Sequence, residues 1–159
     1  MTAAPQSPGR PTPTTSRPQA ARHVAGGQAV GGFFLVMGGV HLGLVASDPA
    51  VYRDFADHAL LGFVRAGWRD VFMAAPVVWA LLLMAGEITL GTLLLVGGRA
   101  ARVGWIGAIL FHVLLMLFGW WAWVWSVPAL VVLVLLAAHD FRGDGELGAD
   151  GRRRHPRVG

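Results

Sequence analysis

The 159-residue chain has no cysteine and no lysine, and only 14% of it is charged. Without cysteine it can form no disulfide, no thiolate metal site and no thiol redox relay of its own. Without lysine, all 13 basic residues are arginine, a bias that, with the alanine and glycine load, points to a GC-rich bacterial genome. Several motif classes are also missing. There is no P-loop, no nucleophile elbow and no paired acidic metal site. The glycine pairs flanking the first two apolar runs follow no strand, so they read as helix-end and packing devices.

What the chain has instead is hydrocarbon-like length. It is 55% hydrophobic, with 22 Gly and 7 Trp, and three apolar stretches cover Val24 to Ala46, Val71 to Gly98 and Val103 to Ala138. Each exceeds the roughly 20 residues needed to cross about 30 Å of hydrocarbon. The third, at about 1.5 Å per residue, would make a helix of roughly 54 Å. It also contains "GWWAWVWSVP", rich in helix breakers, so it reads as a tight hairpin of two spans. The expectation is an all-α polytopic membrane protein, a four-helix transmembrane bundle with spans at about 26–46, 71–97, 103–120 and 123–139.

The ends are polar. Residues 1–23 hold five Pro and three Arg with no acid, and residues 142–159 are Arg-rich, so both are expected to be disordered tails. The arginines also set topology. Ten lie in the two tails and the second connection, against three (Arg53, Arg65, Arg69) in 47–70, which places both termini in the cytoplasm of a bacterial plasma membrane. Basic tails of this kind favour anionic lipid, and nothing requires nucleic acid.

The segment between the first two spans, "SDPAVYRDFADHALLGFVRAG", opens with Asp48 as a helix cap and Pro49 at the first helical position. Its apolar residues, from Tyr52 and Phe55 to Phe63 and Val64, share one face, which predicts a short amphipathic outer helix over about 49–66. The tryptophans Trp68, Trp120, Trp121, Trp123 and Trp125 fall at the same boundary and read as an interfacial belt.

One carboxylate, Glu87, stands inside "LLLMAGEITLGTLLLVGG". An ionisable group in hydrocarbon costs roughly 2.5–3.5 kcal/mol even on lenient scales, so it should face the bundle and find a partner. Counting about 1.5 Å per residue from the flanking arginines puts Glu87 level with His112, and His41 about one turn higher. Glu87, His112 and His41 are therefore the candidate ligand or proton site, with Glu87 and His112 as expected neighbours. They read equally as polar glue between helices. Gly39, Gly43, Gly86 and Gly91 are the expected helix-packing glycines. Two intramembrane histidines raise the question of haem, but their depths differ by about 6 Å, which argues against a shared iron. No catalytic residue and no metal site is assigned.

The stretch "FFLVMGGVHLG", the outer amphipathic segment and "GEITLGTLLLVGGRAARVG" resemble the DoxX family of small four-helix bacterial membrane proteins, over roughly residues 28–140. That resemblance implies association with membrane redox complexes, including thiosulfate-to-quinone electron transfer in one branch and sulfur-transfer or oxidative-stress partners in another. It carries over Glu87 with Gly86 and Gly91. With no cysteine, electrons would have to pass through a bound quinone or a partner. The expected role is a non-catalytic or quinone- or lipid-binding subunit of a membrane redox assembly, with further copies of the chain among the expected partners. The alternatives are a proton-coupled permeation protein and an inert scaffold recruiting partners through its basic tails.

Overall fold

In a computed structural model, backbone structure is described for residues 17–153 and side-chain surroundings for residues 25–142. The fold is all-α. Helix α1 runs Arg17–Ser47, α2 Asp54–His58, α3 Gly62–Gly67, α4 Pro76–Val96, α5 Gly98–Leu115 and α6 Trp120–Arg153. Four segments are long and apolar enough to cross a membrane: Ala25–Ser47, Pro76–Val96, Gly98–Phe118 and Trp120–Arg142. Helix therefore extends into both regions expected to be tails, from Arg17 and as far as Arg153. Adding a turn to an existing helix avoids the cost of nucleation, and Pro18 is tolerated within the first turn. The remainder of both tails lies outside the described residues.

Prolines and glycines set where the spans begin and end. Helix α4 starts at Pro76, five residues later than expected, because Ala75 before the ring is held out of helical geometry at φ −147° and ψ 63°. Gly97 alone separates α4 from α5, at φ +82°. The long apolar run folds back at Gly119, after a 3-10 turn over Met116–Phe118. Pro128, which looked like part of the break, lies inside α6. Membrane helices accept such a residue where neighbouring groups re-satisfy the backbone.

The segment between the first two spans, called the outer segment after its expected side, is helical but is not one continuous helix. It comprises a 3-10 turn over Pro49–Arg53, then α2, an extended link through Ala59 and Leu61, α3, and a π-helical turn over Trp68–Phe72. Two features account for the interruption. Asp48 caps the first turn by accepting from the Ala50 N–H at 2.8 Å, and the Leu60 N–H leaves the segment to donate to Leu117 O at 2.9 Å, tying it to the α5–α6 turn. Tyr52, Phe55, Trp68, Phe72 and Phe118 then pack ring against ring over this end of the bundle, with Trp68 and Phe72 stacked at 3.9 Å.

Helix α1 packs along α4, α4 along α5 and α5 along α6, whereas α1 and α6 meet only in a thin seam. The α1–α4 contact is backbone on backbone. A Cβ at Gly91 would stand 2.7 Å from Gly31 O, and one at Gly31 would stand 2.9 Å from Gly91 O. Small residues permit this approach, and dispersion between the two helices depends on it. Gly91→Ala is therefore expected to cost about 1–3 kcal/mol, the usual range for overpacking, while Gly39→Ala stays within about 0.5 kcal/mol. Thermal unfolding in mild detergent compares them directly, and equal melting points would contradict the assigned contact.

The glycine ridge differs from the expected one. Gly39, Gly43 and Gly86 have nothing within 4 Å of a built Cβ and are exposed, so they do not pack helices. On α1 the facing positions are Gly27 against Leu94, Gly31 against Gly91 and Gly38 against Met84 and Ile88. On α5 they are Gly104 against Leu94 and Gly107 against Leu90. GxxxG spacing recurs on several faces of α1, and only the face turned to α4 is used.

Candidate functional site

Glu87 is 3% exposed and belongs to the buried stripe of α4 that includes Ala80, Gly91 and Leu94. Its neighbour is His41, whose Nε2 lies 3.5 Å from Glu87 Oε2. His112, the expected partner, is elsewhere. The depth count itself holds. The pairs Leu94–Gly104 and Leu90–Gly107 set residue 110 or 111 opposite Glu87, so His112 is within two residues of level. Rotation decides the matter, because each residue turns about 100° on a helix and the face of α5 toward α4 is that of Gly104 and Gly107. His112 points away from it, into the edges of Phe34, Phe111 and Trp125 at 5.6–6.0 Å.

The same geometry explains how His41 bridges the turn that separates it from Glu87. It continues the α4-facing ridge of Gly31 and Gly38 at the i+3 position from Gly38. Helical Cβ atoms lean toward the N-terminus of their own helix. Since α1 and α4 are antiparallel, His41 leans along the bundle toward Glu87, and Glu87 leans back toward His41. Their side chains close the gap in level between their backbones.

A third group, which the sequence reading placed only on an apolar face, completes the chain. Tyr52, 2% exposed, places its hydroxyl 2.6 Å from His41 Nδ1, and the two rings stack at 5.8 Å and 16°. The Asp48 cap returns the chain over the end of α1, four residues before Tyr52. Trp68 holds the position by donating its indole N–H to Tyr52 O at 2.6 Å. Two arrangements fit both contacts, the Tyr52 hydroxyl donating to Nδ1 of a neutral ring or Nδ1–H of a protonated ring donating to the Tyr52 oxygen, and in both Nε2–H faces the Glu87 carboxylate. Glu87 Oε2 is buried and accepts no hydrogen bond, so the chain ends on an unsatisfied oxygen. Tyr–His–Glu in this order is a short path along which a proton can be held or moved.

Burial, and secondarily the nearby Glu87 carboxylate, raise the Tyr52 phenol above its ordinary value. A raised pKa means the folded state holds the proton more tightly, so stability is intact below the unfolded value and falls as pH rises through the folded one. Tyr52 is the only tyrosine in the chain, so absorbance at the phenolate band reports it alone. The expected titration midpoint lies above that of free tyrosine and moves part of the way back in Glu87→Gln. A midpoint at the free value would show the hydroxyl to be solvated.

His112 is 3% exposed, and its Nδ1–H donates to Ala108 O at 2.9 Å. It faces the α1–α6 seam, not the Glu87 site. Among the described residues, no group of three or more His, Cys, Asp or Glu side chains is placed to hold a metal ion.

The fold and the site together define an all-α, multi-pass membrane protein with a buried acid in its second span, linked through His41 to the outer segment. Comparison of the chain with protein-family models, curated proteins and solved structures gives no match.

Proposed function

We propose that this protein is a non-catalytic, proton-handling subunit of a membrane redox assembly, in which Tyr52, His41 and Glu87 connect the outer segment to the bundle interior. The observation that carries the reading is the Glu87 carboxylate, buried at 3% exposure, with one oxygen unsatisfied and facing a histidine already bonded to a tyrosine. Intramembrane acids of this kind are expensive, and they mark proton or ligand paths. The resemblance of "GEITLGTLLLVGG" to the DoxX family supplies the redox context and makes a quinone the small-molecule partner. Proton delivery to a quinone at the membrane is work this chain's groups suit, and without cysteine its electrons would have to pass through a bound quinone or a partner.

The test is to purify wild type and Glu87→Gln in mild detergent, extract bound small molecules and identify them by mass spectrometry. Infrared titration of the carboxyl stretch runs alongside. The expected result is a co-purifying quinone with wild type, reduced severalfold in Glu87→Gln, and one protonation-sensitive carboxyl band that the substitution removes. Absence of quinone from wild type, together with a carboxyl spectrum unchanged by the substitution, would reject the proposal.

A further inference from the structure

A second site lies on the other side of α1. Where α1 and α6 separate, a cleft of about 410 Å³ opens, lined by Val30, Phe33, Phe34, Pro128 and Val132, with His112 also on its wall. Phe33 and Val132 are half exposed on membrane-spanning helices, so the cleft opens sideways toward lipid. Its size is within the roughly 300–1,000 Å³ of small-molecule sites. A transmembrane helix, about 10 Å across, is too thick to enter, whereas a flexible hydrocarbon chain fits.

The wall has one polar instruction. His112 Nδ1–H donates to Ala108 O, and in the neutral ring that tautomer leaves Nε2 as an acceptor. Among the described residues, Nε2 has no hydrogen-bond partner. The aromatic edges of Phe34, Phe111 and Trp125 hold the ring in place but supply no strong donor. Ser126, seven residues beyond Gly119 as His112 is seven before it, lies in the same layer of the α5–α6 hairpin. Its hydroxyl is fully buried and likewise unpartnered.

We infer that this cleft binds a lipid-soluble molecule with an apolar chain and a hydroxyl head, the chain lying along α1 and α6 and the hydroxyl donating to His112 Nε2. A head with carbonyl oxygens alone has no proton for that nitrogen, so the inference is separate from the quinone assigned to the Glu87 assembly.

The test uses the full-length protein in phosphatidylcholine vesicles and two photoreactive probes, a dodecanol with a terminal diazirine and its methyl ether. Expected is saturable labelling of peptides covering 25–36 and 128–136, with the alcohol favoured over the ether by about fivefold to tenfold, the worth of one net hydrogen bond. His112→Phe should remove that preference. Ala129→Trp, which fills the cleft and leaves His112 in place, should remove the labelling. The comparison of alcohol with ether on wild type needs no variant, so a failure of His112→Phe to fold leaves the inference testable. Equal labelling by both probes, labelling spread over all lipid-facing helices, or labelling untouched by Ala129→Trp would overturn it. So would a dimer that Ala129→Trp abolishes, because the occupant would then be a second copy.

Discussion

Replacing His41 by Leu is expected to cost about 3–5 kcal/mol of stability, whereas His41→Leu together with Glu87→Leu costs much less. Removing one member of a buried polar pair leaves the other desolvated without compensation, and that penalty, not the pair's own attraction, dominates such measurements. The Glu87 carboxylate has little else to turn to. Its Oε2 accepts no hydrogen bond, and the group facing it is His41 at 3.5 Å. Replacing both groups with apolar side chains of similar volume removes the buried polar groups and restores a surface that packs like its neighbours. Denaturant unfolding of the two single variants and the double variant in the same detergent gives the coupling energy directly. Additive effects of the two single substitutions would show that His41 and Glu87 do not act as a pair. A loss of only about 1–3 kcal/mol in His41→Leu is the signature of an unpaired neutral group.

The second large effect is expected at the α5–α6 turn. Gly119 combines two requirements that a side chain violates together: its backbone sits at φ +82° and ψ −167°, and a Cβ there would stand 2.7 Å from His58 O. The dihedral region is essentially glycine-only, at about 1–3 kcal/mol for a forced residue. The close carbonyl belongs to the outer segment, so relief of the clash must push α2 away from the turn. Gly119→Ala should therefore cost about 2–6 kcal/mol, the sum of strain and overpacking. It should also disturb the Leu60–Leu117 backbone bond that fastens the outer segment. Because Tyr52 is held by that segment, the tyrosine titration should shift toward the free value in the same variant. A melting point within a degree or two of wild type would contradict the turn geometry.

The two effects share a physical origin. The outer segment is the element that carries Tyr52 to His41, and it is fixed at one end by the Asp48 cap and at the other by contacts with the turn at Gly119. Aromatic packing among Phe55, Trp68, Phe72 and Phe118 fills the space between these ties. Damage to the turn and damage to the buried pair should consequently meet at the same hydroxyl, although the mutated positions lie on different helices.

The number of spans, the hairpin in the third apolar run, the Asp48 cap and the cost of Glu87 could all be read from the amino-acid order. Each depends on quantities that add along the chain: apolar length against about 30 Å of hydrocarbon, about 1.5 Å of rise per residue, and the local chemistry of Asp, Pro and Gly. Depth is of this kind, which is why His112 was correctly placed near the level of Glu87. Azimuth is not. Helices that are apolar all round carry no amphipathic stripe to say which side faces which neighbour. Only the packed bundle turned His41 toward Glu87, directed His112 into the α1–α6 cleft and set Gly31, not Gly39 or Gly43, against the expected Gly91. Tyr52 could not have been assigned to His41 from the sequence, because its position depends on a fold-back over the end of α1 and on Trp68 sixteen residues later. The sequence by itself determined that a carboxylate would have to be accommodated inside the membrane. Which histidine meets it was left to rotation, close backbone contact and the antiparallel lean of two side chains.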